Sequence, residues 1–310
     1  MSAPPYLDVA ALVPMPAAID ALEAALAGGL DPEAGPARAV VEVPAGQILS
    51  MPAAVGRYAG VKVVTVAPDN ARRDLPRVQG VYLLLDGTTL APLALLDGIA
   101  LTALRTPAVS AVAVRHLAAP DAARLLVFGT GPQAWGHVAA VRAVRPVTHV
   151  DVVGRRPERV AALVAHCRGL GLSATGRSAT AAAATAAAAG DVAGADVVCC
   201  CTTARVPLFD SDRLAAHATV VAVGTHEPDA REVDERLVRR ATTVVEARSV
   251  ALREAGDIVL AGPPDPAALA TLGELVAGRV AVAPDRPRLF KSVGMAWEDL
   301  VVAAAAYDSR

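Results

Sequence analysis

Two glycines separated by one residue open the stretch of this sequence that is best suited to binding phosphate. Gly129-Thr130-Gly131 follows an apolar run that ends at Phe128, and a helix-compatible segment and a second apolar run, 147–153, come next. In such a strand–turn–helix–strand unit of about 30 residues, the glycines let backbone N–H groups approach a pyrophosphate at the positive end of the helix. The spacing predicts a dinucleotide site. Its predicted contacts are Gly129, Thr130, Gly131, Gln133 and Ala134.

The end of the second apolar run indicates which dinucleotide binds. NAD sites usually have an acidic residue at this point to hold the ribose hydroxyls, but here Gly154 is followed by Arg155 and Arg156. Two guanidinium groups suit a 2′-phosphate, because their planar donors match phosphate oxygens. The alternative is a solvated basic turn before the helix that Pro157 begins. We therefore favour NADPH as the cofactor, with NADH or NAD as the alternative.

Three cations lie in otherwise apolar segments near the start of the chain. Arg38 begins a strand-like run, Lys62 lies within an alternating apolar run, and Arg105 lies within an apolar helical pattern. Such lone cations usually extend to solvent or pair with an acid. Three of them in one small domain, beside a nicotinamide-binding domain, also fit a receptor for a carboxylate. Both interpretations follow from the residues alone.

A loop near residue 225 contains groups that could handle protons. It follows the fifth strand predicted after residue 120, and loops at the carboxyl ends of parallel strands face the ligand crevice. Its candidate acids or bases are His226, Glu227 and Asp229. Histidine is favoured among them because it titrates closest to neutral pH. The alternative for His226 is an exposed loop residue without a chemical role.

The first 120 residues predict an α+β domain with an antiparallel sheet. Turn signals separate its apolar runs, and a long apolar helix follows them. The predicted strands and helix are 39–43, 60–66, 80–86, 91–96 and 98–117. We expect residues 1–120 to form the substrate-binding domain, with an apolar C-terminal helix, 296–310, packing back on it.

Residues 121–295 predict a second domain of the α/β class. Strands alternate with helices in this part of the chain, which is typical of a doubly wound parallel sheet of the Rossmann type. The predicted strands are 124–128, 147–153, 171–175, 195–201, 219–223 and 242–246. The alanine-rich tract 178–189 predicts a crossover helix, because alanine is the best helix former.

Composition argues against several other classes of function. The 310 residues carry a net charge of −2 without a basic block, which argues against nucleic-acid binding. Apolar runs are too short to span a membrane and the N-terminal stretch lacks the basic start of a signal peptide, so we expect a cytoplasmic protein. The four cysteines, three of them consecutive on a predicted strand, predict no metal site and no disulfide. Among 29 basic residues, only Lys62 and Lys291 are lysines.

The chain also resembles the ornithine cyclodeaminase/mu-crystallin family of NAD(P)-dependent enzymes. The resembling motifs occur in order over nearly the whole chain. They are Met51-Pro52-Ala53, Gly60-Val61-Lys62, Leu75-Pro76, Asp97-Gly98, 101–106, the glycine turn at 129–134, Gly194-Ala195-Asp196, Glu232-Val233-Asp234, Ala255-Gly256-Asp257 and 290–294.

The resemblance implies roles for several of these residues. It implies that Arg38, Lys62 and Arg105 hold the α-carboxylate of an amino or imino acid, with Lys62 near the reacting carbon. It also implies a homodimer formed through the first domain. The residues implied to line the nicotinamide are Val223, Gly224, Ser292, Val293 and Gly294.

The crevice loop departs from one branch of this family. Ornithine cyclodeaminases look like Gly-Asp-x-Pro-Gly here, whereas this chain has His226 in that place, followed by Pro228 and Asp229. It is thus more similar to the mu-crystallin branch of cyclic ketimine reductases. We expect NADPH-dependent reduction of a small cyclic ketimine carboxylate, such as pyrroline-2-carboxylate or piperideine-2-carboxylate. Lys62, His226 and Asp229 are the catalytic candidates.

Two alternatives remain open from the sequence. The first keeps the family but changes the reaction, to that of an ornithine cyclodeaminase or an amino-acid dehydrogenase. The second is a protein that binds NADPH or another ligand with little catalysis. Turnover of ornithine, or tight NADPH binding without turnover of any imino acid, would distinguish them.

Overall fold

The computed structural model describes residues 4–178, 192–262 and 265–310. It divides into two compact units. The first unit comprises Met1–Thr106 and Met295–Arg310, and the second comprises Pro107–Gly294. The division falls inside a helix, Gly98–Leu117 (α3), whereas the sequence placed the boundary at residue 120, where a proline and a turn end that helix.

The first unit is built on a six-stranded sheet with the order β1-β6-β5-β4-β3-β2. Its strands are Tyr6–Leu7 (β1), Ala39–Val43 (β2), Gly46–Val55 (β3), Tyr58–Val66 (β4), Val78–Asp86 (β5) and Pro92–Asp97 (β6). Strands β2 to β6 pair antiparallel, and β1 pairs with β6 in parallel. Its other helices are Val9–Leu12 (α1), Met15–Ala27 (α2), the C-terminal Ala296–Asp308 (α10) and the short 3-10 helices Pro32–Ala34 and Pro68–Arg73.

The alternation of side chains along β4 decides which of them enter the core. Gly60, Lys62 and Val64 are buried, whereas the residues between them are more exposed. Successive side chains of a strand point to opposite faces. The register therefore places Lys62 on the same face as Met51 of β3 and Tyr82 of β5. Helix α10 packs against β3 and β4 on this face, where the side chain of its Asp299 reaches Lys62.

Strand β3 is an element that the sequence did not predict. Pro52 lies in its middle, and a proline usually argues against an interior strand because it cannot donate a ladder hydrogen bond. The apolar pattern is also weak at Gln47 and Ser50. Pairing with both neighbours, from Val43↔Gly46 on β2 to Val55↔Tyr58 on β4, overrides these local signals.

The second unit is built on an eight-stranded parallel sheet with the order β13-β12-β14-β11-β10-β7-β8-β9. Its strands are Arg124–Phe128 (β7), His149–Gly154 (β8), Ser173–Ser178 (β9), Val197–Cys200 (β10), Thr219–Ala222 (β11), Thr242–Val245 (β12), Ala270–Thr271 (β13) and Arg288–Lys291 (β14). Its other helices are Pro132–Val144 (α4), Pro157–Gly169 (α5), Glu235–Arg240 (α6), Arg248–Glu254 (α7), Gly256–Val259 (α8), Leu272–Val276 (α9) and the 3-10 helices Ser211–Arg213 and Pro266–Ala268.

The strand order of this sheet reverses between β7 and β10. Such a switch point is where doubly wound sheets bind their ligands. The predicted Rossmann class is confirmed, and the six predicted strands match β7 to β12 within a few residues. The sequence did not predict β13 and β14, which are only two and four residues long. Of the alanine-rich tract 178–189, where a helix was predicted, Ser178 ends β9 and the other residues lie outside the described ranges.

Two of the cysteines of the second unit are packing residues of its sheet. Cys199 and Cys200 lie in β10 with no exposed surface, and burial raises the pKa of the Cys199 thiol. Across the described ranges, no group of three or more His, Cys, Asp or Glu side chains could hold a metal ion. Nor does any helix in those ranges combine the length and apolar character needed to cross a bilayer.

Candidate functional site

The glycine turn has the geometry that a pyrophosphate site needs. Gly129 has a φ of +113°, and a Cβ there would collide with the carbonyl oxygen of Cys201. Gly131 is the N-cap of α4, and its Cβ position has no atom within 4 Å. Glycine at the first position thus allows the tight turn, and at the second it leaves open space in front of the helix N-terminus.

The residues after the turn hold α4 against the sheet. Ala134 is fully buried, as expected where a helix packs closely on a strand. Gln133 lies in the first turn of α4, and Thr130 packs near Gly154 at the end of β8. The open face of Gly131 and the uncovered N-terminus fit a dinucleotide pyrophosphate. Thr130, Gly131, Trp135 and Arg159 line a cavity of about 360 Å³ beside the turn.

The two arginines predicted to select the cofactor follow β8 directly. Arg155 and Arg156 are both exposed, and Arg156 is the N-cap residue of α5. Strand β8 is the neighbour of β7, and Gly129 donates a backbone hydrogen bond to Val153 of β8 at 2.8 Å. The arginines therefore lie at the same edge of the sheet as the glycine turn.

The two loops that the resemblance assigns to the nicotinamide are adjacent in the structure. Val223 and Gly224 follow β11, Ser292 to Gly294 follow β14, and these strands are neighbours. The Ser292 N–H donates to the carbonyl oxygen of Ala222 at 3.1 Å. The register thus brings together residues that are about 70 positions apart in the sequence.

A buried acid holds the second of these loops. Glu246 follows β12 directly and is 2 % exposed. Its carboxylate accepts hydrogen bonds from the Ser292 hydroxyl at 2.7 Å, from the Val293 N–H at 2.8 Å and from the Gly294 N–H at 3.1 Å. The backbone of this loop is therefore fixed by side-chain acceptors from the neighbouring strand.

A second buried group, which we call the loop network, consists of Thr225, Glu232, Asp257 and Lys291. Lys291 Nζ donates to the carbonyl oxygen of Thr225 at 2.7 Å and lies 2.8 Å from Asp257 Oδ2. Asp257 also accepts from the Glu232 and Val233 N–H groups at 2.7 and 2.9 Å. The network connects the end of β14 to the loop after β11.

Glu232 extends this network to a third loop. It accepts hydrogen bonds from the Thr202 N–H at 2.8 Å and from the Gly224 N–H at 2.7 Å. Burial raises the pKa of Glu232, and the nearby charge of Lys291 opposes that rise. A Cβ on Gly224 would collide with the carbonyl oxygen of Thr202. The loops after β10 and β11 are thus packed too closely for any other residue at position 224.

The acid–base candidates of the crevice loop lie at the surface. His226 is exposed, and the side chains of Glu227 and Asp229 both pair with Arg205, which belongs to the loop after β10. The distance to Glu227 is 2.5 Å. Asp229 is therefore engaged in an exposed ion pair.

In the first unit, Lys62 belongs to a buried group of four charged side chains. We call Lys62, Arg105, Glu298 and Asp299 the four-charge cluster. Lys62 is 2 % exposed; its Nζ lies 2.7 Å from Asp299 Oδ2, 2.9 Å from Asp299 Oδ1 and 3.2 Å from the Thr102 hydroxyl. Arg105 reaches Asp299 Oδ1 through Nε at 3.1 Å and Glu298 through a terminal nitrogen at 2.7 Å. The structure thus brings Lys62 and Arg105 to one carboxylate.

Burial has a direct electrostatic consequence in this cluster. It lowers the pKa of Lys62 from its ordinary value to about 8, Asp299 opposes that change, and the positive charge of Arg105 adds to it. Tyr82 lies opposite Lys62 in the sheet, fully buried, with its hydroxyl over Gly60. A Cβ on Gly60 would collide with that hydroxyl, which explains the glycine in Gly60-Val61-Lys62.

Arg38 is the third predicted carboxylate ligand, and it lies apart from this cluster along the sheet. It is half-buried and directly precedes β2, whose first residue Ala39 pairs with Ser50. Continued by one residue, this register sets Arg38 opposite Met51, which pairs with Lys62. Two strand spacings, about 10 Å, therefore separate the backbones of Arg38 and Lys62.

Sequence reasoning missed the acidic half of the four-charge cluster. Glu298 and Asp299 are fully buried in the first turn of α10 and lie more than 190 residues from Arg105. One signal was present in the sequence, because two adjacent acids interrupt a helix that is otherwise almost entirely apolar. Such acids are rarely buried unless paired.

Comparisons with known proteins agree with this architecture. The sequence model that describes the ornithine cyclodeaminase/mu-crystallin family matches residues 6–310 of this chain. The chain is 33% identical over 306 residues to the ketimine reductase mu-crystallin of Rattus norvegicus, covering 94% of this chain and 91% of that protein. It is 34% identical over 308 residues to the Delta(1)-pyrroline-2-carboxylate/Delta(1)-piperideine-2-carboxylate reductase of Azospirillum brasilense, covering 97% and 94%.

A solved structure extends the similarity to the whole fold. It is the Delta(1)-pyrroline-2-carboxylate reductase of Thermococcus litoralis in complex with NADH and L-proline, with a TM-score of 0.89 and 32% identity. The similarity covers 98% of this chain and 96% of that chain. The family resemblance inferred from the motifs is confirmed.

Proposed function

The chain belongs to the ornithine cyclodeaminase/mu-crystallin family, and we propose that it reduces a small cyclic ketimine carboxylate with NAD(P)H. Pyrroline-2-carboxylate and piperideine-2-carboxylate are the proposed substrates, and the corresponding cyclic amino acids are the products. The observation that carries this proposal is the pair of buried cations, Lys62 and Arg105, in a chain that also has a Rossmann glycine turn. Relatives named as reductases of these two imines support it.

The proposed chemistry assigns a task to each unit. Lys62 and Arg105 hold the substrate carboxylate, with Arg38 as a further contact, so that the imine carbon is fixed in place. When bound at the glycine turn, the reduced nicotinamide supplies the hydride. The loops held by Glu246 and by the loop network fix the backbone at Gly224 and Gly294, which are the proposed nicotinamide contacts. Positioning of this kind lowers a barrier by removing the entropy cost of bringing reactants together.

A proton must accompany the hydride, because a protonated imine accepts hydride far more readily than a neutral one. Of the two loop candidates, we favour His226 over Asp229, because a histidine side chain ordinarily titrates closer to neutral pH than a carboxylate does. Lys62 is the third candidate; with a pKa of about 8 it is charged at neutral pH and can donate a hydrogen bond to a substrate atom. The imine can also carry its own proton into the site.

We further propose that the chain prefers NADPH to NADH. The support is the pair of exposed arginines, Arg155 and Arg156, at the end of β8, where a carboxylate would be needed to bind the ribose hydroxyls of NADH. Replacing both by alanine should lower the ratio of kcat/KM for NADPH to that for NADH by about tenfold or more, since bidentate phosphate contacts are lost. An unchanged ratio would refute the preference.

The decisive assay measures NADPH oxidation with a panel of cyclic imino acids, with ornithine plus NAD in parallel. We expect rapid oxidation with a cyclic ketimine carboxylate and no ammonia from ornithine, because His226 stands where cyclodeaminases have aspartate. Release of ammonia and proline from ornithine would instead identify a cyclodeaminase. Tight NADPH binding with no turnover of any imine would identify a ligand-binding protein.

We also propose a homodimer formed through the outer face of the first unit's sheet. Val41, Ile48, Val63 and Val81 are all more than a third exposed, and the register places them on the face opposite Lys62. A broad apolar face of this kind is typical of a protein–protein interface. A second copy of this chain is the proposed partner.

The dimer proposal can be tested by light scattering after size exclusion. We expect about twice the chain mass of 31.5 kDa, and a monomer when Val63 and Val81 are both replaced by lysine. Val206→Lys provides the control, because Val206 is an exposed valine of the second unit. A wild-type monomer would refute the proposal, as would a dimer that survives the double substitution.

A further inference from the structure

The C-terminal helix brings two adjacent acids to the predicted substrate cations. Glu298 and Asp299 lie in the first turn of α10, and neither has any exposed surface. Buried carboxylates are costly unless they are paired. Their partners, Lys62 on β4 and Arg105 on α3, belong to other elements of the same unit. The helix therefore completes the charge balance of this region.

The two acids differ in what they contact. The carboxylate of Asp299 bridges both cations, with Oδ1 2.9 Å from Lys62 Nζ and 3.1 Å from Arg105 Nε. Glu298 contacts the Arg105 guanidinium at 2.7 Å. Asp299 is thus the group that joins a lysine and an arginine which would otherwise repel each other in a buried environment.

The charged groups around Lys62 come from three elements. They are Arg105 on α3, Glu298 and Asp299 on α10, and the titratable Tyr82 on β5. Burial and Arg105 both disfavour a charged Lys62, whereas Asp299 and, more weakly, Glu298 favour it. The cluster balances two cations against two carboxylates, so the charge of Lys62 depends on Asp299.

We propose that Asp299 is a positioning residue of the reductase, which holds Lys62 charged and beside Arg105 so that both cations can receive the substrate carboxylate. The proposal rests on the proposed function. Asp299 acts through Lys62 and Arg105 and does not itself bind the substrate. The substrate class that follows is a monoanionic imino acid whose carboxylate binds next to an existing internal carboxylate.

The test compares Asp299→Asn with the wild-type chain in steady-state kinetics over a range of pH. Above about pH 8 we expect the KM for the imino acid to rise by about tenfold or more, because each unit of pKa lost by Lys62 reduces its charged fraction about tenfold there. The KM for NADPH should stay within about twofold. The Lys62 pKa of about 8 predicts an alkaline limb of kcat/KM near pH 8 in the wild type. In Asp299→Asn this limb should move down by about one unit or more. A limb that stays in place would overturn the proposal.

Glu298→Gln is the matched comparison on the same helix. It also removes a buried carboxylate, but one that contacts the always-charged Arg105 rather than Lys62. We expect the alkaline limb to move less than in Asp299→Asn. Equal shifts in the two variants would show that general charge loss, and not the Asp299–Lys62 contact, sets the limb.

Two further measurements test the proposal if Asp299→Asn does not fold. Asp299→Glu keeps the charge but lengthens the side chain, so KM should rise while the alkaline limb stays near its wild-type position; unchanged KM would overturn the proposal. The wild type alone supplies another test, because activity that persists undiminished well above pH 9 would exclude a need for charged Lys62. Failure of the proposed function is distinct, since it would appear as no turnover of any ketimine by the wild type.

Discussion

The two lysines of this chain are both buried, yet they lie in different electrostatic surroundings. Lys62 in the first unit is 2 % exposed, and Lys291 in the second is 1 % exposed. Lys291 donates to the Thr225 backbone carbonyl and hydroxyl and pairs with Asp257. Lys62 shares Asp299 with a second cation, Arg105. One lysine is enclosed by acceptors, and the other lies in a group that already contains an additional positive charge.

This difference separates a structural lysine from a candidate binding lysine. In the loop network, Asp257 and Glu232 outnumber the single cation, so another anion would be repelled. In the four-charge cluster, the charges balance, and the Lys62 ammonium is destabilised by burial, with a pKa lowered to about 8. A substrate carboxylate would restore favourable interactions there. Burial of a lysine is therefore less informative about function than the sum of the charges around it.

The largest expected effect comes from breaking the loop network. Lys291→Met leaves Asp257 without its cation in a fully buried position, so the unfolding free energy should fall by about 3–5 kcal/mol. Urea denaturation measures this change. Arg286→Met, at an exposed weak pair in the same unit, should change stability by no more than about 0.5 kcal/mol. A Lys291 variant as stable as the control would contradict a structural role.

Lys62→Met should have the next largest effect, and on activity. We expect kcat/KM for the imino acid to fall by at least about 100-fold, or about 3 kcal/mol of transition-state stabilisation. Lys291→Met should be assayed at low temperature, where it stays folded. Its kcat/KM for the imino acid should fall less than that of Lys62→Met. The comparison would be reversed if Lys62→Met kept its activity while Lys291→Met lost it.

The pH dependence of stability offers a sharper contrast. Because the pKa of Lys62 is lowered to about 8 on folding, the unfolded chain binds more protons than the folded one between pH 8 and the ordinary lysine range. The unfolding free energy of the wild type should then rise with pH in this window relative to that of Lys62→Met. Parallel denaturation curves at pH 7.5 and 9.5 test this. If the difference in unfolding free energy between the wild type and Lys62→Met were the same at both pH values, the lowered pKa of Lys62 would be contradicted.

The smallest expected effects come from the threonine that contacts each lysine. Thr102→Val removes a 3.2 Å hydrogen bond from Lys62, and Thr225→Val removes hydroxyl contacts of 3.1 and 3.2 Å with Lys291 and Asp257. Each substitution should lower the free energy of unfolding by about 1 kcal/mol. We expect Thr102→Val to raise the KM for the imino acid, whereas Thr225→Val should mainly lower the melting temperature. If the two variants changed KM and melting temperature in the same way, the distinction between the two lysines would be contradicted.

Local sequence signals predicted a large part of the fold. The glycine turn, the strands β7 to β12 and helix α3 were predicted because each depends on a periodic apolar pattern or a glycine at a fixed offset. Strand β3 was missed because Pro52 opposes it locally, and β14 because four residues show no clear period. The division inside α3 was not predictable, since a continuous helix shows no local signal at Thr106.

The sequence alone determined the Rossmann turn, the family and the identity of the two predicted site cations, Lys62 and Arg105. The tertiary structure decided what those cations contact. Asp299 reaches Lys62 across 237 residues of chain, and no local pattern can encode a partner at that separation. It also decided that Lys291 holds a loop, because that role depends on Asp257 and Thr225 packing around it. Residue type and spacing set what a side chain can do, but packing sets its partners and hence its charge.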